Sequence, residues 1–194
     1  SKIYQWITPR IYFGSKNVLF IIHHSAFFIM THIFLYGPPG TGKSTVGKQL
    51  ASNLKLHFID LDRVIETNAG TAISHIMEQH GESAFRDLES SALKNLINEQ
   101  ESIIALGGGA LLRDENRAFA EAHGKVVLLM AEVNTLLQRL NTDSNKRPLL
   151  AGDMNTKLSS LLAKRAEHYN SFPLRIHVDG KSAEQNAHQA QVAL

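Results

Sequence analysis

Along the chain, short apolar runs alternate with longer segments in which apolar or small residues recur every three or four positions, and turn-forming residues punctuate the two. The short runs predict strands at Thr31–Tyr36, His57–Asp60, Ser102–Leu106, Lys125–Met130 and Leu174–Val178. The longer ones predict helices over Thr45–Leu54, Ala72–His80, Ala84–Glu99, Glu115–Ala122, Val133–Leu140, Thr156–Asn170 and from Ser182 onward. Strand and helix take turns from residue 31, with no repeat and no low-complexity linker. That is the signature of an α/β fold around a parallel sheet, here of five strands. Ligands of such folds gather at the carboxyl ends of the strands.

The first strand end carries the plainest chemistry. Gly37-Pro38-Pro39-Gly40-Thr41-Gly42-Lys43-Ser44-Thr45 fits the phosphate-binding pattern G-x-x-x-x-G-K-[ST] without a mismatch, between a predicted strand and a predicted helix. Its glycines let backbone N–H groups crowd round a phosphate. Lys43 supplies a cation for the β- and γ-phosphates, Ser44 offers a hydroxyl to Mg²⁺, and the helix start favours the anion. Nucleoside triphosphate is therefore the expected ligand, with the reaction still open.

Further strand ends narrow that reaction. Phe58-Ile59-Asp60-Leu61-Asp62 places two carboxylates two residues apart at the end of the second strand, on the same side, so that one can face metal and the other substrate. The third strand runs into Ala105-Leu106-Gly107-Gly108-Gly109-Ala110, and three consecutive glycines call for a tight turn or a close ligand approach. Gly81-Glu82 opens a helical segment in which Arg86 and Glu89 stand three apart, so the carboxylate can hold the guanidinium in place.

Composition excludes more than it selects. Lys plus Arg number 20 against 18 acidic residues among 194, a net charge of +2 that offers no broad basic face for nucleic acid. Cysteine is absent, so disulfides, thiolate metal sites and a cysteine nucleophile are excluded. The ten histidines form no recurring ligand pair and read as surface or core residues. Val18 to Tyr36 is long and apolar enough to suggest a membrane span. His23, His24, Ser25 and His32 interrupt it, and its last part is needed as the strand before the phosphate loop, so no span is expected. Met30 stands just ahead of that strand. Residues 1–29 accordingly read as a dispensable extension of one domain covering 30–194, in a cytoplasmic, monomeric protein.

Taken together, these motifs resemble those of shikimate kinase, from about Thr31 to the C-terminus. The resemblance rests on Gly37 to Thr45, on Phe58 to Asp62 followed by Ile65-Glu66, and on Gly81-Glu82 leading to Phe85-Arg86 and Glu89. It continues through Ala105 to Gly109, Arg147-Pro148-Leu149-Leu150, and Arg165 with Tyr169. It implies a three-layer α/β/α sandwich of the P-loop kinase type, with a substrate-binding lobe at about 62–100 and a mobile lid at about 141–153. The implied reaction is ATP-dependent phosphorylation of the 3-hydroxyl of shikimate, a step of aromatic amino acid biosynthesis, with ATP and Mg²⁺ required. On this resemblance Arg86 and Arg165 would bind the shikimate carboxylate, and Asp62 with Gly107, Gly108 and Gly109 its hydroxyls. Asp62, Lys43 and Arg147 would be catalytic, Asp62 as base or orienting group. Gly40, Thr41, Gly42, Lys43, Ser44, Thr45, Arg139 and Arg147 would hold the nucleotide, and Ser44 and Asp60 the metal.

Two features point elsewhere. Pro38-Pro39 is more typical of ring-forming ATPases, yet the nearest counterpart of the required Asp-Glu strand end, Val126 to Glu132, lacks the Asp. Another small-molecule kinase, such as a gluconate kinase, or a non-catalytic nucleotide-binding relative shares the loop and the fold.

Overall fold

The computed structural model describes residues 32–96, 99–142 and 153–194. Residues 1–31 fall outside these, so the expected extension and Thr31 are not part of the description; nor is most of the expected lid, 143–152, with Arg147. Twelve elements follow one another: β1 (His32–Tyr36), α1 (Lys43–Leu54), β2 (His57–Asp60), α2 (Leu61–Ala69), α3 (Ile73–Asn95), β3 (Ser102–Ala105), α4 (Asp114–His123), β4 (Gly124–Met130), α5 (Val133–Thr142), α6 (Met154–Asn170), β5 (Arg175–His177) and α7 (Ala183–Ala193).

All strand pairings are parallel, in the order β2-β3-β1-β4-β5. β1 is the centre, with Phe34 opposite both Ile104 and Val126. Parallel strands buried on both faces need continuous apolar runs, and β1 is buried at all five positions. The two-residue period then sorts side chains by layer. Ile33 and Leu35 pack with Val46, Leu50 and Ala51 of α1 and Ala187 and Ala190 of α7. Phe34 and Tyr36 pack on the opposite face with Leu61 and Ile65 of α2, Phe85 and Leu93 of α3, Ala120 of α4 and Tyr169 of α6. The result is the expected three-layer α/β/α sandwich. A third cluster joins Leu136 and Leu140 of α5 to Leu158 of α6.

The largest departure from the sequence reading is α2. The chain leaves β2 directly into this helix: Asp60 is extended (φ −106°, ψ 113°) and caps its start, and Asp62 lies in its first turn. Asp60 and Asp62 therefore do not share one side of a strand end as expected. The apolar spacing of Leu61, Val64 and Ile65 drives the helix, because these three pack into the core below. The two helices expected over 72–80 and 84–99 form a single 23-residue element broken by Gly81 (φ 81°, ψ 170°), which ends at Asn95 rather than Glu99. At the expected lid, Asn141 and Thr142 complete α5, and Asp153 caps α6 by accepting from Thr156 N at 3.3 Å. No helix of the described residues is long and apolar enough to cross a membrane.

Candidate active site at the carboxyl ends of the strands

The phosphate loop spans Gly37 to Gly42. Three of its residues adopt left-handed backbone, Gly37 (φ 135°), Gly40 (φ 84°) and Gly42 (φ 85°), where a side chain is strained. Gly37 is the tightest: a Cβ there would lie 2.1 Å from the Leu129 carbonyl oxygen of β4. Thr41 is fully buried and donates its hydroxyl to the Pro38 carbonyl at 2.9 Å, bracing the turn from within. Lys43 Nζ donates to the carbonyls of Gly37 (2.9 Å) and Pro38 (3.0 Å), so its ammonium lies against the loop. Gly42 caps α1 without a side chain, and the helix start faces the loop with its N–H groups and positive dipole end. Ser44 and Thr45, in the first turn, are exposed. Arg139 of α5 reaches the same loop, donating to the carbonyls of Gly40 (3.4 Å), Thr41 (3.3 Å) and Val178 (3.4 Å).

Beside it, Ser44 Oγ donates to Asp60 Oδ2 at 2.6 Å. Two hard oxygen groups thus meet at the start of α1, the donor chemistry Mg²⁺ prefers. No group of three or more His, Cys, Asp or Glu residues suited to a metal occurs among the described residues. A pair of this kind suits a cation that keeps waters and shares the phosphates of its nucleotide.

Across from the phosphate loop lies the glycine turn. A side chain would collide with a neighbour at Gly107 and Gly109 and be crowded at Gly108. A Cβ on Gly107 would fall 2.6 Å from Glu89 Oε1 and 3.2 Å from Asp62 Oδ1; on Gly109, 2.7 Å from Arg86 Nη2. On Gly108 it would meet the Gly37 carbonyl at 3.2 Å and Pro39 Cδ at 3.4 Å. The two loops therefore lie close together, with Pro39 on the side of the phosphate loop that faces Gly108. The carbonyls of the turn are engaged too, Gly107 O by Ala110 N and Gly109 O by Leu112 N, both at 3.1 Å. Gly108 O takes Arg165 Nη1 (2.9 Å), Tyr169 Oη (2.9 Å) and Tyr36 Oη (3.3 Å).

Arg86 is clamped on two sides. Its Nη1 donates to Glu89 Oε2 at 2.6 Å, while Nε and Nη2 donate to Glu82 Oε1 at 3.3 and 3.0 Å. Arg113 ties the turn back to the same helix, pairing with Asp87 at 2.7 Å and donating to the Arg86 carbonyl at 3.2 Å. Glu89 is wholly buried. Burial pushes its carboxyl above the usual range, the Arg86 guanidinium opposes this, and the Asp62 carboxylate adds to it. Burial would lower the Arg86 guanidinium, but Glu89 and then Glu82 more than offset that and hold it charged. Asp62, Arg86, Arg165 and the glycine turn, far apart in sequence, are thereby brought together beside Lys43, Ser44 and Asp60. Sequence alone assigns no role to Tyr36, Glu82 or His168, although Gly81-Glu82 opens the helical segment that carries Arg86. Glu82 had a signal, standing four residues before Arg86 on one helix face. Tyr36 and His168 had none.

Comparison with known proteins is consistent in kind. A family model described as Shikimate kinase matches residues 39–194. A shikimate kinase of Salinibacter ruber is 46% identical over 65% of this chain and 62% of its own length. One of Francisella tularensis subsp. holarctica is 45% identical over 73% of this chain and 81% of its own. A solved shikimate kinase from Acinetobacter baumannii, in complex with shikimate, superposes with a TM-score of 0.79 at 37% identity, covering 83% of this chain and 90% of that one.

Proposed function

The chain belongs to the shikimate kinase family, and from that premise we propose that it transfers the γ-phosphoryl group of ATP to the 3-hydroxyl of shikimate, a step of aromatic amino acid biosynthesis. One observation carries the reading: Arg86, whose guanidinium fills the space a side chain at Gly109 would need, and Arg165, bonded to Gly108, converge on a turn that lies close to the phosphate loop. A small carboxylate-bearing ring held by these two guanidiniums would present a hydroxyl toward the triphosphate. The turn's carbonyls being engaged, its N–H groups are what it offers to the ring hydroxyls, with Asp62 as their acceptor.

In this reading Asp62 receives the hydrogen bond of the attacking hydroxyl and orients it, and takes its proton as the new P–O bond forms. The hydroxyl oxygen gains the phosphoryl group and ADP leaves with the electron pair of the broken bond. Gly40 to Thr45 enclose the β- and γ-phosphates with backbone N–H groups, and Lys43 turns its ammonium from the loop carbonyls toward the transferring group. Arg139 holds the loop beside Val178 and reaches the nucleoside. Ser44 and Asp60 fit a hydrated Mg²⁺; the ion, when bound, would neutralise charge on the phosphates. Arg147, outside the described residues, supplies a second cation from the lid.

The deciding assay is ADP release with Mg-ATP and shikimate, run beside gluconate and nucleoside monophosphates. Turnover that depends on shikimate supports the reading; turnover with gluconate alone would replace it. Arg86→Ala, made together with Glu89→Gln because Glu89 would otherwise stay buried without its cation, should weaken shikimate binding by about 10–100-fold and leave ATP binding nearly unchanged. Calorimetric titration with each ligand separates the two, and equal losses would indicate damage to the fold instead. A version beginning at Met30 should fold and turn over as the longer chain does, residues 1–29 being dispensable. Loss of the cooperative thermal transition in that version would make them structural.

A further inference from the structure

Tyr36 is fully buried at the end of β1, one residue before the phosphate loop, and its hydroxyl lies within reach of two groups that the reaction itself does not use. One is Gly108 O at 3.3 Å; the other is His168 Nε2 of α6, at 3.1 Å. A phenol has one proton, and a carbonyl can only accept. If Tyr36 donates to Gly108, His168 must donate to Tyr36, which fixes the imidazole as its Nε2–H tautomer. Burial lowers the basicity of His168, Arg117 and Arg165 lower it further, and Asp114 opposes them, so the ring is neutral and carries a single hydrogen. The rings leave little freedom to reorient. His168 stands edge-on to Tyr36 at 5.7 Å and 89° and to Phe172 at 5.2 Å, and Tyr36 packs on Tyr169 at 5.7 Å and Phe172 at 5.3 Å.

We propose that Tyr36 and His168 are positioning residues for the acceptor half of the site: a relay from His168 Nε2–H to Tyr36 Oη, and from Tyr36 Oη–H to the Gly108 carbonyl, holds the glycine turn at its contact with the phosphate loop. The proposal rests on the functional reading above. The Gly108 carbonyl accepts from Arg165 and Tyr169 at 2.9 Å each, and Tyr36 shares the same oxygen through a longer, weaker bond of 3.3 Å that the relay supports. Through that carbonyl it also fixes Arg165, which shares it. Such chains polarise one another, most where water is excluded as it is round the buried Tyr36, so they serve orientation better than isolated bonds do.

The test uses the full chain, with Tyr36→Phe, His168→Leu, the double variant and His168→Gln. Tyr36→Phe and His168→Leu should each raise KM for shikimate by about 3–10-fold while KM for ATP stays within about twofold, the size of one lost hydrogen bond expressed on one ligand only. The double variant should be no worse than Tyr36→Phe alone, and His168→Gln, whose amide can donate to the phenol, should recover most of the loss. Long-range ¹H–¹⁵N spectra of the unmutated protein should report the Nε2–H tautomer, and Tyr36→Phe should shift the Gly108 carbonyl ¹³C resonance. An Nδ1–H tautomer, or variants that lower the melting temperature and leave both KM values unchanged, would overturn the relay. If the unmutated protein shows no shikimate-dependent turnover, the functional reading fails, and the tautomer and the Gly108 resonance still decide the relay.

Discussion

Asp62→Asn is expected to lower kcat by about 10²–10⁴-fold, equivalent to about 3–5 kcal/mol of transition-state stabilisation, with ATP binding intact. The amide can still accept a hydrogen bond from the acceptor hydroxyl, so the ring remains oriented. It cannot take the proton. The side chain sits in the first turn of α2 against Gly107, on the acceptor side of the glycine turn, and its removal as a charge does not touch the phosphate loop. Stability should hold or rise. Asp62 adds to the upward push on the buried Glu89 carboxyl, and neutralising one of two neighbouring carboxylates relieves that repulsion. Steady-state kinetics, ATP titration and thermal unfolding on one preparation check all three. A variant that keeps most of its kcat would make Asp62 an orienting group only.

Arg147→Ala is expected to cost at least about 10³ in kcat, the low end of what a cation delivered to the transferring phosphoryl provides. Lys43 would then be the one side-chain cation of the proposed site left on the transferring group, beside the metal and the loop N–H groups. The effect should be confined to the chemical step, since the proposed carboxylate partners, Arg86 and Arg165, stand on other elements. Single-turnover rates with both substrates saturating measure it directly. A change only in KM for ATP would assign Arg147 to ground-state binding of the nucleotide.

The strands and the phosphate loop are legible along the chain because each is a local pattern: an apolar run, a glycine spacing, a helix start. β1, β2, β4 and β5 come within one residue of where the apolar runs put them, and β3 stops one residue short of Leu106. The start of α2 is equally local and yet has the look of a strand end. Leu61, Val64 and Ile65 have helical spacing, and Asp60 is a capping residue type, but their closeness to a strand end disguised them. The consequence is instructive, since Asp60 and Asp62 do face different partners, Ser44 and Gly107, for a reason other than strand alternation. Within the site, Arg86 and Glu89 announce themselves by spacing. The Gly108 carbonyl does not: its donors come from β1 and α6, and no local pattern ties Tyr36 to His168. Pro38-Pro39 looked foreign to the loop when read alone. Pro39 becomes intelligible only against Gly108, a contact the tertiary structure creates.

The central position of β1 bears on how the protein is made. β1 precedes every other strand described, yet its hydrogen-bonding neighbours are β3 and β4, and the floor beneath Gly37 is Leu129. The surroundings of the phosphate loop are therefore complete only once β4 is in place. Non-local parallel pairing of this kind is slow to form, because the loops must close before any contact rewards them. A chain that stopped before Leu129 would lack the β4 carbonyl against which Gly37 is packed.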